Sequence, residues 1–123
     1  MPKRMLCGQR ILLAEDEYFL ADELARALVD AGAEVLGPVA TVEGALDLLE
    51  CSAQPNAAVL DVNLGGESVY LVADALRTLG VPFIFTTGYD QAAIPSQYAG
   101  VPCLEKPMNN VTVLRELVLI LNN

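Results

Sequence analysis

The chain contains no histidine and no tryptophan, only three cysteines, and 7 lysines and arginines against 16 aspartates and glutamates. Each scarcity removes a class of function. Without histidine there can be no Ser-His-Asp triad, no imidazole acid–base catalysis and no histidine-ligated zinc. Cys7, Cys51 and Cys103 are odd in number and lack any Cys-x-x-Cys spacing. They read as small reduced hydrophobic residues, not as a metal centre or a disulfide frame. A formal net charge of −9 opposes direct binding to nucleic acid, whose phosphates call for clustered cations, and to an anionic membrane surface. Long apolar runs are missing too. Nothing approaches the ~20 residues that a spanning helix needs, and the apolar stretch after Lys3 and Arg4 is too short for a secretory leader. The expectation is a cytoplasmic protein with no membrane contact. One domain, residues 1–123, is expected, because 54% of the chain is apolar and this length can bury a real core.

What is present is an alternation of two periods. Strand-length apolar runs occur at Arg10–Ala14, Glu34–Pro38, Ala57–Leu60, Pro82–Phe85 and Val101–Leu104. The second meets a proline, which places it at a sheet edge. Between them, helical spacing recurs. Leu20, Leu24, Leu28 and Ala31 precede a stop at Gly32, and Thr41 is a suitable N-cap for Val42, Ala45, Leu46 and Leu49. Val69, Val72, Leu76 and Leu79 are closed by Gly80, and Leu114, Leu117, Val118 and Leu121 mark a last helix. Pro95 interrupts the stretch from Tyr89 to Gly100, so a short or irregular turn is expected there. Because the strand runs are apolar throughout, a parallel sheet buried on both faces follows.

In such a sheet the working edge lies beyond the carboxyl ends of the strands. The residues found there are Glu15-Asp16-Glu17, Asp61-Val62-Asn63, Thr86-Thr87-Gly88 and Glu105-Lys106-Pro107. Two carboxylates about 4 Å apart repel by ~4 kcal/mol at an effective dielectric of about 20, so gathering Glu15, Asp16 and Asp61 calls for a cation. Oxygen ligands in a partly hydrated site suit Mg²⁺, or Mn²⁺ in its place. Glu-Asp-Glu alone would read as a solvated turn or a helix N-cap; Asp61 at the matching end of another strand reverses that. Asp61 is also the best nucleophile, its carboxylate able to form an aspartyl phosphate. Lys106, one of only two lysines, would pair with Asp61 or with phosphoryl oxygens. Pro107 holds Lys106 extended and admits a cis bond. Thr87 offers a hydroxyl, and Gly88 leaves room beside it.

This set, in this order on successive strand ends, resembles the response-regulator receiver domain of two-component signalling, over essentially the whole chain. The resemblance implies a single flavodoxin-like, doubly wound (βα)5 domain. It implies that Asp16 and Asp61 bind Mg²⁺ directly, Asn63 through its main-chain carbonyl and Glu15 through water. Asp61 would be the phosphoacceptor, with Thr87 and Lys106 on the phosphoryl group. The implied partners are a histidine kinase or histidine phosphotransfer protein and a downstream protein target. Beyond self-phosphorylation and slow self-dephosphorylation, no enzyme activity is implied. Phe85-Thr-Thr-Gly-Tyr-Asp90 further resembles a subgroup named for a Phe-Ala-Thr-Gly motif, which includes many stand-alone receivers. Two departures stand out. The acidic pair is Glu-Asp where Asp-Asp is commoner, and Cys103 occupies the position of the usual Tyr or Phe switch residue. Signalling would then fall to Tyr89 and the irregular segment up to Tyr98. Val113, Leu119 and Ile120, outside the core stripe of the last helix, suggest either broad burial or a docking face, including one for a homodimer.

Two other classes share parts of this pattern. A haloacid-dehalogenase-type Mg²⁺-dependent phosphatase also uses Asp, Thr or Ser, and Lys. It needs an Asp-x-Asp on its first strand, however, and Asn63, two residues beyond Asp61, cannot serve as its general acid. A nucleotide- or flavin-binding domain lacks any Gly-x-Gly-x-x-Gly or Walker-type loop in support, and Gly65-Gly66 after Asp61-Val-Asn-Leu reads more simply as a turn into the third helix.

Overall fold

The computed structural model describes residues 5–88 and 94–122. Five parallel strands, β1 (Arg10–Ala14), β2 (Glu34–Val39), β3 (Ala57–Asp61), β6 (Phe83–Thr87) and β7 (Cys103–Glu105), form one sheet in the order β2-β1-β3-β6-β7. A two-residue hairpin, β4 (Asn63–Leu64) and β5 (Glu67–Ser68), stands apart from it. The helices are α1 (Tyr18–Asp30), α2 (Val42–Cys51), α3 (Tyr70–Leu79) and α4 (Asn110–Leu121).

Alternate strand residues divide between two cores, as the period of two dictates. Leu12, Ala58, Leu60, Phe83 and Phe85 pack with Val42 and Ala45 of α2 and with Val72, Ala73 and Leu76 of α3. Ile11, Leu13, Val59 and Ile84 face Leu24 and Leu28 of α1 and Val113 and Leu117 of α4. Strands covered on both sides can be apolar at every position. The chain leaves β1 for the edge strand β2, then crosses back to β3. The topological switch point therefore lies between β1 and β3, whose last paired residues are Ala14 and Leu60.

Local signals behave as the sequence suggests at several ends. The Thr41 side chain accepts the amide of Gly44 at 2.9 Å, and Gly80 closes α3 with φ at +75°. Edge strand β2 continues through a cis Gly37–Pro38 bond to Val39, with its register against β1 shifting between Leu12 and Ala14. The Lys106–Pro107 bond is also cis.

The interrupted helix before β7 is as expected, and three other details differ from the sequence reading. The (βα)5 pattern carries four α-helices among the described residues. Between β6 and β7 only a 3₁₀ turn, Ser96–Tyr98, follows Ile94, as Pro95 foretold; residues 89–93, Tyr89 among them, lie outside the described residues. Val113, placed outside the α4 stripe, is fully buried, while Leu119 remains exposed. Leu79, assigned to the buried stripe of α3, is exposed because the helix ends there. Gly65-Gly66, read simply as a turn into α3, forms the tip of the β4–β5 hairpin with φ of +61° and +88°, the left-handed pair that a two-residue hairpin loop requires. Among the described residues, no helix is long and apolar enough to cross a membrane.

Candidate functional site

The carboxyl ends of β1, β3 and β7 bring Glu15, Asp61 and Lys106 into direct contact. The Lys106 ammonium donates to Asp61 Oδ2 at 2.9 Å, and lies 3.0 and 3.1 Å from the two oxygens of Glu15. A third carboxylate, Glu17 Oε2, reaches the same ammonium at 3.3 Å. Glu15 and Asp61 are each about 5% exposed, so this is a largely desolvated cluster rather than a surface ion pair. The lysine stands there because the Lys106 amide donates to the Thr87 carbonyl at 2.7 Å, extending the β6–β7 ladder by one bond.

Backbone donors orient the acids. Glu17 N–H donates to Glu15 Oε2 at 3.0 Å, and Asn63 N–H to Asp61 Oδ1 at 3.2 Å. Gly65 N–H, at the tip of the hairpin, donates to Asp16 Oδ2 at 3.0 Å. A side chain at Gly65 would bring its Cβ within 3.0 Å of the Ala40 carbonyl. The glycine thus permits both the positive φ and the close approach of the hairpin to the Ala40 carbonyl.

Glu15, Asp16 and Asp61 each offer an oxygen, all within 4.8 Å of one another. The donor set is entirely carboxylate oxygen, which fits a hard divalent cation such as Mg²⁺. The carboxylates around the Lys106 ammonium outnumber it, a surplus of negative charge that such an ion would neutralise. Burial raises the Glu15 carboxyl to about 7, and the Asp61 charge adds to the rise, against hydrogen bonds from Glu17 N–H and Lys106 that lower it. Burial alone would lower Lys106, but its bonds to Asp61 and Glu15, with their charges, outweigh this and hold the ammonium well above the usual lysine range.

Thr87 is 2% exposed at the end of β6, one strand over from Asp61. Its neighbour Thr86 pairs in register with Asp61, and the Thr86 hydroxyl is buried without a hydrogen-bond partner among the described residues. Asn63 is exposed, with its amide spent on Asp61. All the residues singled out from the sequence therefore stand along one edge. Glu15, Asp61 and Lys106 are in direct contact, Asp16 is adjacent, and Thr87 is joined to Lys106 through the main chain.

The sequence reading missed two features. One is the contact of Glu17 with Lys106, which no spacing rule foretells. The other is an aromatic cluster under the hairpin. The Tyr98 ring stacks on Tyr70 at 5.0 Å and meets Phe85 edge-on at 5.6 Å, with Arg77 4.8 Å above it. Its hydroxyl donates to the Asp74 carboxylate. Burial raises the Tyr98 pKa, and the bond to Asp74 adds to this. Cys103, half-buried, packs against the same core. Burial, followed by the charge of Glu105, raises its thiol pKa, which keeps it a neutral hydrophobic residue.

No protein-family model matches the chain. Among solved structures, SdrG from Sphingomonas melonis Fr1 is 38% identical with a TM-score of 0.78, over 91% of this chain and 96% of that one. A CheY-like response regulator receiver domain protein from Methanospirillum hungatei JF-1 is 26% identical with a TM-score of 0.81, over 93% of this chain and 94% of that one. The sensory transduction protein LytT of Bacillus subtilis is 30% identical over 112 residues, covering 88% of this chain. The chain spans 46% of the length of LytT.

Proposed function

This chain belongs to the receiver domains of response regulators, and on that premise we propose that it accepts a phosphoryl group on Asp61 from a phosphohistidine on a partner kinase or phosphotransfer protein. The observation that carries the proposal is the Lys106 ammonium bound at 2.9 Å to a buried Asp61 and at 3.0 Å to Glu15, within a trio of carboxylates close enough to share one cation.

In the proposed reaction an Asp61 oxygen attacks phosphorus as the phosphorus–nitrogen bond to the donor histidine breaks. The electron pair of that bond returns to the imidazole, and the product is an aspartyl phosphate. Lys106, already beside Asp61, turns its ammonium to the arriving phosphoryl oxygens. The Thr87 hydroxyl takes another of them. Asp16, Asp61 and the Asn63 main-chain carbonyl would hold Mg²⁺, or Mn²⁺, with Glu15 acting through water; the ion would supply charge neutralisation for both carboxylates and phosphate. The chain has no histidine, and Asn63, two residues beyond Asp61, cannot serve as the general acid that fast phosphatase turnover would use. A signalling role suits the cluster better than phosphatase turnover.

Readout by a protein partner needs a coupled element, and the route through an aromatic at position 103 is replaced here by cysteine. We assign the coupling to Tyr98 and the segment before it. The ring touches Phe85, two residues before Thr87, and its hydroxyl is anchored on α3. The exposed Leu119 and Val111 of α4 are the face on which a protein partner or a second copy would dock.

Incubation with acetyl phosphate and Mg²⁺, followed by intact-mass analysis, tests the reading. A slowly lost adduct of one phosphoryl group, absent in Asp61→Asn, is expected. Rapid multiple turnover of phosphate esters would overturn it.

A further inference from the structure

Glu17 occupies the N-cap position of α1, yet its side chain makes no capping bond to that helix. Its main chain is fully engaged: the amide donates to Glu15 Oε2 at 3.0 Å, and the carbonyl accepts from Ala21 at 2.9 Å. With the backbone so fixed, the carboxylate turns to the Lys106 ammonium, 3.3 Å away and 89 positions along the chain. Unlike Glu15 and Asp61, it is 61% exposed, whereas the lysine side chain is 13% exposed. Glu17 therefore stands on the solvent side of the cluster, where an approaching phosphoryl donor would meet it.

We propose that Glu17 is a positioning and specificity residue, which restrains Lys106 in the resting site and sets the site against small, highly charged phosphodonors. This rests on the phosphoacceptor reading of Asp61. Two effects act in the same direction. A free anionic donor must approach past an unneutralised carboxylate, and it must draw Lys106 away from that carboxylate to use it. A protein donor brings its own surface, whose contacts offset the barrier; a small dianion has nothing else to offset it. A unit charge within a Debye length reduces the local concentration of a dianion by roughly threefold to tenfold, and of a monoanion by roughly twofold to threefold, the lower figures applying at physiological salt.

The test compares Glu17→Gln with the unaltered chain at saturating Mg²⁺, using acetyl phosphate as a dianionic donor and phosphoramidate as a donor of single net charge. Glu17→Gln should raise the second-order rate constant for acetyl phosphate by about threefold to tenfold, raise that for phosphoramidate less, and lose the difference as salt is added. Because Lys3 and Lys106 are the only lysines, ¹⁵N-lysine labelling gives a second readout independent of reaction. The Lys106 ammonium resonance should move, or broaden by exchange with water, in Glu17→Gln. Equal acceleration with both donors, no acceleration, or an unchanged Lys106 resonance would overturn the role of Glu17. Failure of the unaltered chain to accept phosphate from either donor would instead overturn the phosphoacceptor reading itself.

Discussion

Replacing Lys106 by methionine removes the ammonium that Glu15, Glu17 and Asp61 share and keeps a similar apolar stem. The magnitude follows from what is left behind. Asp61, with its side chain 7% exposed, loses its 2.9 Å partner, and breaking a buried pair from one side costs about 3 kcal/mol at the low end of measured cases. Relief from desolvating the ammonium and better packing of the thioether return part of this, leaving a loss of about 2 kcal/mol. Glu15 then makes the loss depend on pH. Its carboxyl titrates at about 7 with Lys106 present, and without the ammonium it titrates higher still. At pH 6 it is largely protonated in both proteins and adds little. At pH 8 it is largely ionised in the unaltered chain and less so in the variant, a difference of up to about 1.4 kcal/mol for one unit above its pKa. Urea denaturation followed by circular dichroism in EDTA should therefore give a loss of about 2 kcal/mol at pH 6 and about 3 kcal/mol at pH 8. Millimolar Mg²⁺ should recover part of it. A variant as stable as its parent, or a loss no larger at pH 8 than at pH 6, would refute the assignment of Lys106 as the counter-charge of this cluster.

Three further outcomes follow from the same geometry. A carboxyl raised from 4.5 to about 7 holds a proton in the folded state that the unfolded chain releases. Metal-free stability should therefore be greatest below pH 4.5 as far as Glu15 is concerned, and should fall by up to about 3 kcal/mol as pH rises through 7; chemical denaturation across that range should show the slope, and Glu15→Gln should flatten it. Asp16→Asn keeps an oxygen for Gly65 N–H but removes a charge from an acidic group, so melting without metal should show a gain of about 0.5–1 kcal/mol, while stabilisation by Mg²⁺ should vanish. Tyr98→Phe leaves the ring contacts and removes only the hydroxyl bonded to Asp74; because Asp74 is exposed and can return to water, urea titration should register a loss of about 1 kcal/mol, and a loss above about 3 kcal/mol would contradict it.

The sheet was legible because strands buried on both faces leave uninterrupted apolar runs, and the site was legible because such strands deliver their terminal residues to one edge. Asp61, Glu15 and Lys106 needed no further information than that. Other features depend on contacts that sequence spacing does not encode. Tyr98 and Asp74 meet across 24 positions, and Glu17 could equally have capped its own helix. The Gly65-Gly66 hairpin carried its turn signal openly, but flanks of two residues on each side are too short to show strand alternation. Val113 was misplaced because α4 turns Val113 and Leu117, four residues apart, to the sheet, whereas the stripe was phased on Leu114.

Acceptance of phosphate by Asp61 can be read at the residue itself. Borohydride reduces an acyl phosphate to the alcohol, so an aspartyl phosphate becomes homoserine, whereas a phosphate ester on Thr, Ser or Tyr does not react. After incubation with a phosphodonor and Mg²⁺, borohydride treatment and peptide mass spectrometry should find homoserine at position 61 and at no other aspartate. Homoserine elsewhere, or a phosphorylated chain in which Asp61 survives reduction unchanged, would contradict the role assigned to Asp61.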